Sequence, residues 1–119
     1  MCATTLIIDA SLGGSVYDWL AIARIVECVE IRGVCGSACT AVLGVSQACV
    51  GEAARLLFHG VTSASPVREQ ALGEAMAQDW PDALRSWFLA GPIDLRGADY
   101  IGLWGREAAA MGVRLCGGE

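Results

Sequence analysis

Apolar residues along this chain fall into short runs separated by glycines, and each run carries one of two periods. Residues 4–9 (TTLIID) form a β-branched apolar run and predict a buried strand. After the glycine turn SLGGS, residues 16–27 place Val16, Trp19, Leu20, Ala23 and Val26 at helical spacing. Asp18 sits in the first turn of that helix, where the dipole favours negative charge. Residues 29–34 (VEIRGV) alternate and predict a second strand. Residues 37–45 are small and apolar and predict a buried helix; 48–50 and 55–59 predict short strands around a turn at Gly51. Residues 66–89 read as helix, with Pro66 suited to a first turn and Pro81 splitting the run. A loop follows over 91–97, then a short helix over 104–111 that Gly112 can cap, then a last strand over 113–116. The order β-α-β-α-β-β-α-α-β predicts an α/β fold with a mostly parallel sheet and right-handed crossovers. No internal repeat or disordered linker interrupts it, so residues 1–119 form one domain.

Composition narrows the possible chemistry. The hydrophobic fraction is 55% and the mean hydropathy is +0.50. No apolar run reaches the roughly 18 residues of a membrane helix, so no membrane partner is expected. The apolar excess is assigned to a sheet buried on both faces or to a subunit interface. The net charge is −5 with no basic cluster, so nucleic acid is not an expected partner either. All eight basic residues are arginines. Without lysine there is no Schiff base, pyridoxal phosphate site, P-loop or Ser–Lys pair. The single histidine, His59, must be the base of any imidazole chemistry.

The six cysteines, at 2, 28, 35, 39, 49 and 116, form no C-x-x-C pair, so no metal site is expected. Their apolar surroundings predict free, buried thiols and a cytoplasmic protein. No signal peptide is read at the start, where Met1 leads almost at once into the first strand. The alternative is an exported chain whose cysteines pair. Cys35 and Cys39 would then be poor partners for each other if both lay on one helix.

Three loops carry candidate chemistry. At Gly33-Val34-Cys35-Gly36-Ser37-Ala38-Cys39 a strand ends and a helix begins. Ser37 there is either an N-cap or a nucleophile helped by the dipole and by the next N–H. Gly13-Gly14 follows the first strand and is either a plain turn or a place of close approach to a ligand. In a parallel sheet these loops gather on one edge, where the Gly14 and Ala38 N–H groups can form an oxyanion hole. His59 ends its strand on that edge, as a structural histidine or as the base of Ser37. Asp79, Asp82, Asp94 and Asp99 lie downstream, and spacing does not choose the one that orients it.

In sequence the chain resembles the Clp protease proteolytic subunit of the crotonase superfamily. LIIDASLGGSVYDWLAIARIVE is similar to that family's strand–Gly-Gly–helix segment, and IRGVCGSACTAVLGV to its nucleophile segment. ACVGEAARLLFHG is similar to the strand that delivers its histidine, and GADYIGLWGREAAAMGVRL to its closing segment. Small Clp-like proteins, some of them exported, carry the same Ser-Ala-Cys wording. The resemblance runs from Leu6 to about Leu115. It implies a ClpP/crotonase-like fold of repeated β-α-β units and a serine peptidase without cofactor. Ser37 is implied as nucleophile, His59 as base, Asp99 as its orienting carboxylate, and Gly14 and Ala38 as the oxyanion donors. The segment around residues 60–66 and the following helix would be the handle through which subunits meet in a homo-oligomer.

Departures from the family shape the expectation further. Little sequence precedes the first matching strand, the stretch from Gly14 to Ser37 is short, and Gly-Val follows His59 where the family has Gln-Pro. An ATP-driven unfoldase partner is therefore not expected, and peptides are the expected substrate. The competing readings are a crotonase-type acyl-CoA enzyme or binder, and a non-catalytic structural or regulatory relative.

Overall fold

A computed structural model describes residues 2–117. Among these described residues the strands are β1 (Thr5–Ser11), β2 (Cys28–Gly36), β3 (Gln47–Val50), β4 (Arg55–Phe58), β5 (Ile101–Trp104) and β6 (Arg114–Leu115). The helices are α1 (Val16–Ile25), α2 (Pro66–Ala77), α3 (Asp82–Ala90) and α4 (Gly105–Ala109), with 3-10 helices at Ser37–Gly44 and Pro92–Asp94. The predicted α/β class and the mostly parallel sheet are both present. Every strand pairing is parallel except that of β4 with β5.

β2 is the hub of the sheet because it runs between two edges that differ. β1 follows it along one edge, from Thr5 opposite Cys28 to Ser11 opposite Cys35. The other edge carries β3 over Cys28–Ile31 and then β4 over Val34–Gly36. The change of neighbour coincides with a bulge in which Arg32 and Gly33 oppose Asp9 alone. Gly33 is required here, since a Cβ would run into the Asp9 carbonyl. The bulge bends β2, so the sheet forks there and sends the carboxyl ends of β1, β2 and β4 to one place.

Val29, Ile31, Val50, Leu56 and Phe58 are fully buried and form the sheet's share of the core. Phe58 meets Trp80 and Trp87 edge-on, at 5.6 and 5.1 Å between ring centres, and Trp80 packs on Phe88 at 5.1 Å. These aromatics therefore seat α3 against β4 as core. Pro81 splits the long helical run, as expected, and precedes α3. α1 and α2 each begin with a serine, Ser15 and Ser65, whose hydroxyl accepts the N–H three residues on.

Two expectations are corrected. The helix predicted over 104–111 is only Gly105–Ala109, because Ile101–Trp104 pairs antiparallel with β4. Gly102 in its centre makes room for the Arg55 guanidinium, which lies over the Trp104 ring at 4.6 Å. The free-thiol expectation also fails. All six cysteines are paired, as Cys2–Cys28, Cys35–Cys39 and Cys49–Cys116. Cys35 and Cys39 are not on one helix: Cys35 is the last residue but one of β2, Cys39 lies past a sharp turn, and their Cα atoms are 5.4 Å apart.

Candidate functional site around Ser37 and His59

Ser37 has φ of 53°, the only positive φ at a non-glycine position among the described residues. The left-handed conformation costs an L-residue about 1–2 kcal/mol, so it persists only where its surroundings impose it. They do so in three ways. Gly36, before it, packs against Leu57 of β4. The Cys35–Cys39 bridge closes the turn around it. The buried Thr40 hydroxyl donates to the Ser37 carbonyl at 2.6 Å. The helix that follows is capped at Gly36 with no side-chain hydrogen bond, so the Ser37 hydroxyl does not serve as an N-cap.

The glycine loop after β1 lies against this turn. Gly13 and Gly14 have φ of 130° and 120°, conformations that side chains rarely adopt. A Cβ on Gly13 would stand 3.4 Å from Ser37 Cβ and 3.8 Å from its Oγ. The Trp19 indole N–H donates to the Gly13 carbonyl at 3.0 Å and ties the loop to α1. The Gly14 N–H has no acceptor among the described residues. Ala38 follows Ser37 with its methyl buried in the core, at the helix start where backbone N–H groups lack intrahelical acceptors.

His59 stands half-buried just past β4. Its Nδ1 is 2.6 Å from the Gly60 carbonyl, which can only accept. Nδ1 therefore carries the proton, and Nε2 of a neutral ring keeps its lone pair. Gly60 itself is fixed by donating its N–H to the Leu95 carbonyl at 2.8 Å.

Ser37 and His59 together line two cavities. One, of about 320 Å³, runs between the N-termini of α1 and α2, past Gly14, Tyr17, Val61, Ser63 and Arg68. The other, of about 230 Å³, is bordered by Leu12, Leu57, Gly97, Ala98 and Tyr100. A hydroxyl, an imidazole with a free nitrogen, and an unpaired backbone N–H thus share one cleft, the parts list of acyl transfer.

Comparison with protein-family models gave no match, and a search of curated proteins gave no significant one.

Asp99 lies exposed in the loop between the Pro92–Asp94 turn and β5, flanked by two residues of the smaller cavity. Its carboxylate makes no hydrogen bond to His59 among the described residues; the Gly60 carbonyl holds the position at Nδ1. Asp94 is exposed and makes no hydrogen bond to the ring among the described residues either. Among the described residues no group of three or more His, Cys, Asp or Glu side chains is placed to hold a metal, and no helix is long and apolar enough to cross a membrane.

Sequence reasoning missed three supports of the site. The Gly60 carbonyl leaves no trace in a side-chain pattern. The Trp19 indole bond looks like an ordinary core position. The third is an ion pair behind the larger cavity. Arg96 Nη2 lies 3.3 Å from Glu69 Oε1, Arg96 Nη1 donates to the Ile93 and Leu95 carbonyls, and Glu69 Oε2 accepts the Ser63 N–H at 2.9 Å. The Glu69 carboxyl is held below its ordinary value, chiefly by the Ser63 N–H; desolvation partly opposes this, and the Arg96 hydrogen bond and charge lower it further.

Proposed function

We propose that the protein is a serine hydrolase of the Clp-protease-like kind that acts on peptides. The observation that carries this reading is the strained Ser37, presented at φ of 53° into a cleft it shares with His59. Strain of this sort belongs to nucleophile turns, where it holds a hydroxyl out of the helix it begins. In the proposed reaction His59 Nε2 takes the Ser37 proton as Oγ attacks the peptide carbonyl. The Gly14 and Ala38 N–H groups hold the oxyanion that forms. His59 then gives the proton to the leaving amine, and water resolves the acyl-enzyme by the same steps.

The ring held by the Gly60 carbonyl supports a Ser–His pair as the working unit, with that carbonyl rather than Asp99 at Nδ1. The order of the chain supports the finer fold assignment: strand then Gly-Gly, strand then serine, strand then histidine, all meeting at one edge of a forked sheet. Exposed Leu12, Tyr17, Val67 and Tyr100 near the cleft and on α2 support a homo-oligomer that covers them. The three disulfides support an oxidising compartment, and hence the exported alternative over the cytoplasmic one. A non-catalytic relative is favoured by two observations among the described residues: Asp99 makes no bond to His59, and Ser37 Oγ makes none to the ring either.

Intact mass after incubation with a fluorophosphonate, beside the Ser37→Ala variant, decides between the two. One adduct on the natural chain and none on the variant is expected. A folded, disulfide-intact protein that takes no adduct refutes the hydrolase.

A further inference from the structure

The two cavities that meet at Ser37 and His59 differ in chemistry. The smaller is walled by Leu12, Leu57, Ala98 and Tyr100, and among the described residues no acid or arginine lines it. The larger has hydroxyls from Tyr17, Thr62 and Ser63, and Arg68 is the one acid or arginine among its described lining residues. Among the described residues no carboxylate lines it, in a chain of net charge −5. The acid nearest in sequence, Glu69, is engaged by Arg96 and the Ser63 N–H. The Arg68 guanidinium has no hydrogen bond or ion pair within the described residues, although its own N–H is used in capping α2. An arginine left unpaired in a polar cleft beside a nucleophile is matched by a carboxylate, which it can bind through two parallel N–H groups.

We propose that the cleft selects a peptide carrying a carboxylate on one side of the bond presented to Ser37 and an apolar side chain on the other, with Arg68 as the residue that determines the acidic preference. This rests on the peptidase reading for its meaning in catalysis, but the binding it requires is independent of turnover. Arg68 is exposed on the first turn of α2, so its contribution is that of a solvent-accessible pair: about fivefold in affinity, falling as salt screens it.

The test uses the disulfide-intact Ser37→Ala protein, which cannot turn over, and blocked fluorescent hexapeptides with Glu-Leu or Leu-Glu at the centre. Their Gln counterparts serve as neutral isosteres. The expected result is about fivefold tighter binding of one Glu peptide over its Gln partner at low salt. The ratio should fall to near one at high salt and in an added Arg68→Gln, and Arg68→Lys should restore part of it. Equal binding of Glu and Gln peptides overturns the proposal, as does a preference that survives Arg68→Gln. Failure of the peptidase reading would show differently, as no fluorophosphonate adduct on Ser37 with the Glu preference intact.

Discussion

Replacing Ser37 with glycine should stabilise the fold relative to replacing it with alanine, although both remove the nucleophile. Ser37 sits at φ of 53°, and its Oγ makes no hydrogen bond among the described residues. Losing the hydroxyl therefore costs the same small amount in both variants. Alanine keeps the Cβ and with it the left-handed strain of about 1–2 kcal/mol. Glycine removes that strain, but its unfolded chain is freer by about 0.4–1 kcal/mol. The difference leaves Ser37→Gly about 0.8 kcal/mol more stable than Ser37→Ala, or roughly 3 °C in Tm for a domain of this size. The assay is scanning calorimetry on the two variants with their disulfides intact. An alanine variant as stable as the glycine variant would refute the reasoning. It would mean that the turn is not strained, and that the main support for reading Ser37 as a nucleophile is gone.

Other outcomes follow from the same geometry. Asp99→Asn and Asp94→Asn should each slow fluorophosphonate labelling by less than about tenfold, whereas His59→Ala should slow it by about a hundredfold or more, in the range of a positioned general base. Labelling rates compared across the three variants check this. Replacing Cys49 and Cys116 together by alanine opens a link between residues 67 apart and should cost about 4 kcal/mol, against about 2 kcal/mol for Cys35 with Cys39. Denaturant titration measures both, and only the second pair should also reduce labelling of Ser37. Because the Glu69 carboxyl is held below its ordinary value, its support of the Ser63 loop is complete above the unfolded value and is lost as pH falls through the lower folded one. Stability followed down in pH should therefore drop over that acid window, and Glu69→Gln should flatten the drop.

Much of this arrangement can be read from the chain. The strand–Gly-Gly–helix order, the serine turn and the terminal position of His59 follow from periodicity and from where glycines stand. β5 was hidden because a four-residue strand with glycine at its second position, and only Leu103 buried, carries almost no alternation. The cysteine pairing was hidden for a different reason. The spacing of Cys35 and Cys39 looks helical, and only the left-handed Ser37 between them turns a helical neighbour into a bonded one. The orienting group of His59 was hidden because it is a backbone carbonyl, a partner that every residue possesses. Arg68 stands apart, since its position on a helix face predicts a solvated charge, and only the cavity beside it suggests a task.

The three bridges also decide how the molecule carries load. Pulling on residues 2 and 116 sends tension across Cys2–Cys28 and Cys49–Cys116, which short-circuit spans of 26 and 67 residues. The histidine, the aromatic layer and both long helices after β4 lie inside the second span and feel no tension along the chain. Only the stretch from β2 to β3 is stretched, and the Cys35–Cys39 bridge removes four more steps from it. About 17 residue steps remain to be drawn out, roughly 60 Å, against roughly 390 Å for the reduced chain. A machine that threads the oxidised protein by either end would thus run taut almost at once, with most of the chain still folded behind the bridges.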